Sequence, residues 1–423
     1  MLFIYRTLTI LLFPLFVLII YFRKIIGKEH SKRFVEKIFL SQDYDFKHDS
    51  DPLIWFHGAS IGEVMSIFPI IHSIIERNKN IKILITSVTV SSNKIIEKEF
   101  KNKKNIYHHY FPLDVNFLVN KFLDNWNPKV VCFIDSEIWP NFLYEIKKRN
   151  ISLLLLNARI TNKTFVKWKL VNKFSKKIFS LFDICLASSL NSFENLKKLG
   201  VVNLKYIGNL KYTSKYETKK KLKQELLTCL TQRKTWCAAS THDSEENICI
   251  EAHKKIRKIH QNILTIIIPR HIDRVKKIFE ECSRNNLKAQ ILNDEEKIHD
   301  AVEILIINSF GKIPKFFDFC KTVFIGKSLV KKLKLVGGQN PIEAAKNGCK
   351  IYHGPYVYNF SEVYEYLNKN NIAEKIENSD ELSKKIISDL NNTNSINLDK
   401  IKLINDRGNN ILKESTRLLN NFI

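Results

Sequence analysis

Residue types suited to moving protons and binding anions recur in short clusters, each just downstream of an apolar, strand-length run. His57, Gly58, Ser60 and Glu63 follow "LIWFH", while Asp135, Ser136, Glu137, Trp139 and Pro140 follow "VVCFI". Further on, "AASTHDSEE" follows one run and Pro269, Arg270 and His271 another; Gly337, Gly338, Gln339, Asn340 and Glu343 stand where a loop becomes a helix pattern. A carboxylate such as Glu63, with fixed positive charge nearby from Lys211 and Arg270, can deprotonate an attacking hydroxyl. A glycine-rich turn that opens a helix offers backbone N–H groups to a phosphate. Together these suit transfer of a group from a nucleotide donor. Neither G-x-x-x-x-G-K-S/T nor G-x-G-x-x-G occurs, which weakens the ATPase and dinucleotide readings.

Each residue also has a plain structural reading. Ser60 and Glu63 fit the S-x-x-E capping box, in which the two side chains satisfy free N–H groups of the first helical turn. Asn340 fits a cap for a helix beginning at Pro341, with Glu343 as its capping-box partner. Asp135 and Glu137 read equally well as loop acids and Arg270 as an ion-pair partner, because loops are mostly surface. Residue by residue both readings stand, and the functional one gains its weight from the set.

The elements that must position these residues are legible as alternation. The runs at 53–57, 81–87, 129–134, 152–157 and 181–187 are strand-length and apolar, and amphipathic stretches such as "EVMSIFPIIHSIIERN" separate them. That pattern predicts βαβ units and a parallel sheet. A polar, lysine-rich stretch over 208–227 breaks it, after which a second series runs through 235–240, 263–269, 302–307, 322–326 and 349–354. The reading is an α/β protein with two Rossmann-like domains, 23–207 and 228–395, joined by a linker over 208–227. Two such halves predict a cleft with a nucleotide on one side and an acceptor on the other. Residues 396–423 have helical spacing interrupted by Gly408 and predict one or two terminal helices.

Residues 1–22 are different. Thr7 to Phe22 is uncharged and mostly apolar, reaching bilayer-spanning length only if Arg6 snorkels. Basic residues Arg23, Lys24, Lys28, Lys32 and Arg33 follow, with no small-residue cleavage site. The expectation is an uncleaved, single-pass anchor with the remainder cytoplasmic. Eight cysteines are scattered singly, which fits thiols in a reducing compartment and no metal cluster.

Over 423 residues, hydrophobic and charged fractions of 44% and 26% exclude a disordered or fibrous chain. The net charge of +25 points to anionic partners, or to a solvated lysine-rich surface. A basic, membrane-anchored protein binding RNA or anionic lipid would explain the charge but none of the strand-end clusters.

The blocks "FHGASIGEV", "YFPLDVNFLVNKFLDNWNPKVVCFIDSEIWPNFLYE", "LLNARIT", "GNLKY", "ASTHDSEE", "IPRH", "GKSL", "GGQNPIEAA" and "GPYVYNF" run in one order from the anchor to about residue 360. In that number and spacing the chain resembles the 3-deoxy-D-manno-oct-2-ulosonic acid (Kdo) transferases of Gram-negative bacteria, GT-B glycosyltransferases anchored in the inner membrane. The resemblance implies inverting transfer of Kdo from CMP-Kdo to a hydroxyl of the lipid A precursor, lipid IVA, with no metal, no cofactor and no nucleic acid. It implies a general base at Glu63, an acid that stabilises the transition state at Asp135 and a lysine at Lys211. CMP contacts fall on Pro269, Arg270, Gly311, Lys312, Ile313, Asn340, Pro341, Ile342 and Glu343, and Ser60 and Glu137 are acceptor-side candidates. Asp135 is one methylene shorter than the family's glutamate, Lys312 replaces a carboxylate, and Gln339 a histidine. The segment "VKKLKLV" before Gly337 is longer and more basic than the family's loop. Another GT-B nucleotide-sugar transferase or epimerase is the alternative.

Overall fold

A computed structural model describes residues 1–39, 51–214, 224–293, 298–299, 301–308, 316–392 and 398–423. They fall into two compact units, 1–214 with 407–423, and 215–406.

The first unit is built on seven strands: β1 (Leu53–His57), β2 (Lys82–Ser87), β3 (Ile106–Tyr110), β4 (Val130–Ile134), β5 (Ser152–Ala158), β6 (Ile184–Ala187) and β7 (Leu204–Tyr206). Their order across the sheet is β3-β2-β1-β4-β5-β6-β7, with every neighbouring pair parallel. β1 and β4 are buried at all positions, as a sheet covered on both faces requires. The chain winds outward in opposite directions from these two strands. Their carboxyl ends therefore flank the switch point where doubly wound sheets bind ligands.

The floor beneath that point is aromatic. Trp55 packs against Phe122, Phe133 and Phe142 with ring centroids 4.9, 5.5 and 5.4 Å away, and its indole N–H is satisfied by Thr86 Oγ1 at 2.9 Å. Each such buried side chain contributes about 1.5–3 kcal/mol of burial energy, which makes the strand ends a rigid platform.

The N-terminal apolar run is not one long helix. It forms α1 (Leu2–Leu11) and α2 (Phe13–Ile25), bent by 52° at Leu12, where Pro14 opens α2. Among the described residues no single helix is long and apolar enough to cross a membrane, though the bent pair together has the length and composition. Arg6, expected to snorkel, instead pairs with buried Glu145 at 2.5 Å, and the Tyr5 hydroxyl donates to buried Asp114 at 2.7 Å. Part of the basic stretch that follows is also engaged internally: Arg23 and Lys37 both hold Glu29, and Arg33 holds Glu36.

The second unit repeats the plan with β8 (Lys234–Thr241), β9 (Ile263–Pro269), β10 (Ala289–Leu292), β11 (Ile304–Ile307), β12 (Thr322–Ile325), β13 (Lys350–His353) and β14 (Ala373–Lys375). The order is β10-β11-β9-β8-β12-β13-β14, again parallel throughout, so its switch point lies between β8 and β12. Two Rossmann-like parallel sheets with helices make the chain α/β, as its alternation predicts. All eight cysteines are free, and all but the half-buried Cys229 are buried.

Residues 398–420 form one helix, Leu398–Asn420, and Gly408 does not interrupt it. From Arg407 onward the helix counts with the first unit. A Cβ at position 408 would lie 2.3 Å from the Tyr212 carbonyl oxygen, so glycine is there for close packing.

Candidate active site

In the first unit, β1 ends at His57 and α3 (Ile61–Arg77) begins three residues after Gly58. A Cβ on Gly58 would sit 3.2 Å from Glu63 Cβ, so the missing side chain lets the strand end close onto the first helical turn. Val64, Ile67, Ile71 and Ile74, at helical spacing, bury the other face of α3 and fix its direction. The predicted capping box is present. Ser60 Oγ accepts from the Glu63 N–H at 3.4 Å and donates to Glu63 Oε1 at 2.7 Å, while Oε2 accepts from the N–H groups of Ala59 at 2.8 Å and Ser60 at 3.3 Å.

Glu63 is more than a cap. Burial raises its pKa, the negative charges of Asp135 and Glu137 push the same way, and the bonds from Ser60 and Ala59 only partly offset them. Such a carboxyl is a stronger base than an ordinary surface glutamate.

Asp135 and Glu137 come from the loop after β4. Asp135 is buried and takes a left-handed backbone, φ 64°, pinned by its N–H to the Leu156 carbonyl and by its carbonyl to the Arg159 N–H, each at 3.0 Å. A non-glycine residue held there stores strain, a frequent mark of functional loops. Burial raises the Asp135 pKa against the pull of Lys211 and Arg159. Glu137 differs: burial alone would raise it, but bonds and charge from His57 and the Trp139 indole N–H outweigh that and hold it below the usual carboxylate range.

Lys211 reaches the same point from the turn that follows β7. Asn157, itself left-handed at the end of β5, accepts the Leu210 N–H at 2.9 Å, and Asn209 accepts the Lys211 N–H at 3.0 Å. These bonds shape the single turn Leu210–Tyr212. Lys211 Cε lies 3.8 Å from where a Gly62 Cβ would be, against the first turn of α3. Burial lowers the Lys211 pKa, with Asp135 and Glu63 resisting and Arg159 adding to the fall. The switch point thus joins Ser60, Glu63, Asp135, Glu137 and Lys211, and adds Arg159 and His57, which motif reading left without a role. Their signal was position alone: both lie at strand ends, in "LLNARIT" and "LIWFH".

The donor-side candidates lie in the second unit. Pro269 closes β9 and Arg270 follows with its side chain exposed and its N–H on the Thr241 carbonyl at 3.0 Å. Asn340 Oδ1 accepts from the Ile342 N–H at 3.1 Å, ahead of the short helix Ile342–Lys346. The expected capping box with Glu343 does not form: the helix starts after Pro341 and has no side-chain cap bond. Glu343 is instead pushed up to about 7 by burial. Gly311, Lys312 and Ile313 lie outside the described residues.

The glycine pair at 337–338 is not an open phosphate cradle. The Gly337 N–H is spent on the Leu333 carbonyl at 2.7 Å and that of Gly338 on Lys327 at 2.6 Å. A Cβ on Gly337 would fall 2.1 Å from the Tyr356 carbonyl, so packing demands the glycine. The loop is organised from below by Glu245, fully buried after β8, whose carboxylate accepts the N–H groups of His242, Lys327, Ser328 and Leu329 at 2.6–2.9 Å. Among the described residues no group of three or more His, Cys, Asp or Glu could hold a metal.

The arrangement of a half-buried Glu63, a left-handed Asp135 and Lys211 at one switch point agrees with the similarities of the whole chain. Residues 32–214 match the family model described as 3-Deoxy-D-manno-octulosonic-acid transferase (kdotransferase). A 3-deoxy-D-manno-octulosonic acid transferase of Rickettsia bellii is 30% identical over 427 residues, 99% of each chain; that of Rickettsia typhi is 29% identical over 470, 100% of this chain and 98% of the relative. Among solved structures, a putative UDP-N-acetylglucosamine 2-epimerase from Listeria monocytogenes superposes with a TM-score of 0.60 at 14% identity, covering 86% of this chain and 95% of its own, a likeness of fold in the GT-B class. The chain therefore belongs to the 3-deoxy-D-manno-octulosonic acid transferase family, and is a glycosyltransferase.

Proposed function

We propose that this enzyme transfers Kdo from CMP-Kdo to a hydroxyl of lipid IVA, with inversion at the anomeric carbon and release of CMP. Glu63 takes the proton of the acceptor hydroxyl as its oxygen bonds to the anomeric carbon. The bond from that carbon to the CMP phosphate oxygen breaks, and the electron pair leaves with CMP. The observation that carries this reading is Glu63 with its proton affinity raised, in the electrostatic range of Lys211 and Asp135. Lys211 offsets negative charge in the transition state, and Asp135 keeps the lysine protonated and directed. In the second unit Arg270 supplies an exposed cation for the donor phosphate, with Pro269, Asn340, Pro341, Ile342, Glu343 and residues 311–313 as further donor contacts.

The proposed setting is the cytoplasmic face of the inner membrane. In support, α1 and α2 leave Phe3, Leu11, Leu18, Phe22 and Ile25 between 61% and 81% exposed, a set of large apolar side chains suited to lipid. Because α1 is also tied to Asp114 and Glu145, we read the pair as holding the first unit to the bilayer in which its acceptor lies.

Incubation with CMP-Kdo and the tetra-acylated lipid A precursor, followed by mass measurement, tests the reading. One or two Kdo increments are expected from the native enzyme and none from Glu63→Gln. Binding of a UDP-sugar in place of CMP would overturn it.

A further inference from the structure

We infer that His57 is a positioning residue for the transfer step: it holds Glu137 so that a second fixed carboxylate charge faces the Glu63 site. This rests on Glu63 being the base.

His57 is fully buried at the end of β1 and cannot touch a substrate. Its ring is stacked on Phe111 at 3.7 Å between centroids with an 18° interplanar angle, and Phe133 meets it edge-on at 5.5 Å, so it has one orientation. In that orientation Nε2 lies 3.2 Å from Glu137 Oε2, and Nδ1 lies 2.9 Å from Thr86 Oγ1 and 3.3 Å from the Thr86 carbonyl. A carboxylate only accepts, so Nε2 carries the proton of the pair. Trp55 supplies an N–H to Thr86 Oγ1, leaving that hydroxyl its own proton to give to Nδ1. The Trp139 indole N–H, 2.8 Å from the same Oε2, is the second donor to Glu137. Two donors on one oxygen, the buried His57 and the half-buried Trp139, both packed against Phe111, are more than a surface acid needs. They keep Glu137 ionised beside Asp135, Glu63 and Lys211.

The chemical reason lies in the capping box. Three donors, the N–H groups of Ala59 and Ser60 and the Ser60 hydroxyl, stabilise ionised Glu63 and so weaken it as a base. Nearby negative charge works the other way. After burial, the Asp135 charge is the largest influence that raises the proton affinity of Glu63, and the charge of Glu137, held by the His57 and Trp139 donors, adds to it. The imidazole thus acts on the base through the acid between them.

The test is the pH profile of kcat/KM, with melting curves as a check on folding. Glu137→Gln should move the acid limb to lower pH by about 0.5–1 unit and lower the plateau about three- to ten-fold, as expected of a weaker base. His57→Phe should reproduce part of both changes, and His57→Gln, which keeps an N–H donor, should recover part of that loss. The double variant His57→Phe with Glu137→Gln should be no worse than Glu137→Gln alone. A uniform loss of rate with the acid limb unmoved, or additive losses in the double variant, would overturn the inference. If His57→Phe fails to fold, the same comparison is made with His57→Gln. Activity retained by Glu63→Gln would instead defeat the base assignment itself, which separates the two failures.

Discussion

Ser60 and Glu63 hold each other across one helical turn, hydroxyl to carboxylate at 2.7 Å and amide to hydroxyl at 3.4 Å. The capping and catalytic readings of Glu63 therefore describe one arrangement. The cap orients the carboxylate and favours its ionised form, while burial and the neighbouring acids outweigh this and raise its proton affinity.

Ser60→Ala separates these effects. It removes a donor to the ionised carboxylate, so the proton affinity of Glu63 rises and the acid limb of the rate profile moves to higher pH, opposite to the shift expected for Glu137→Gln. Loss of the N-cap costs about 1 kcal/mol, read as a lower melting temperature.

Lys211→Met should lower kcat by about 10²- to 10³-fold, the usual scale for removing a preorganised charge from a transition state. It also leaves buried Asp135 without one of the two cations that favour its ionised form, the other being Arg159, so thermal stability falls as well. Lys211→Arg keeps the charge but brings a bulkier head against the first turn of α3, and partial recovery of kcat is expected from steady-state kinetics.

Glu343 gives a pH signature in the second unit. Its folded pKa of about 7, against an ordinary 4.5, means that the folded protein binds more protons than the unfolded chain between those values. Its contribution to stability is therefore lost as pH rises through that window. Glu343→Gln should raise the melting temperature at pH 8, leave it nearly unchanged at pH 4.5, and weaken CMP binding measured by calorimetry.

Interior strands were legible in the sequence because burial on both faces writes a continuous apolar run; β1 and β9 match their runs end to end. The four strands that no run marked, β3, β7, β10 and β14, are the four sheet edges. Half-exposed positions there carry polar residues, as in "IYHHY" and "LKY", and the pattern dissolves. Glu63, Asp135 and Lys211 were legible as motif residues. Their supports were not, because the Asn157 side chain accepts the distant Leu210 N–H and the Arg159 N–H donates to the Asp135 carbonyl, bonds that no local pattern encodes. The glycines misled for a related reason: Gly337 and Gly408 serve close packing against distant carbonyls, which reads in sequence as a turn or a break.

Gly408→Ala is the direct check on that packing. Alanine is ordinarily the better helix former, yet here its methyl would meet the Tyr212 carbonyl at 2.3 Å. A loss of about 1–3 kcal/mol is expected by denaturant unfolding, with a fall in kcat as the neighbouring Lys211 shifts.

The brace over the Lys211 turn also fixes an order of events during synthesis. Gly408 and Ile411, which pack against Tyr212 and Gly208, leave the ribosome roughly two hundred positions after the turn they cover. The seven-stranded sheet and Glu63 can be in place long before, but the lysine turn stays uncovered until the second unit has been synthesised and Gly408 and Ile411 follow it. A nascent chain stalled anywhere in the second unit therefore carries Glu63 while the turn that presents Lys211 is still without its brace.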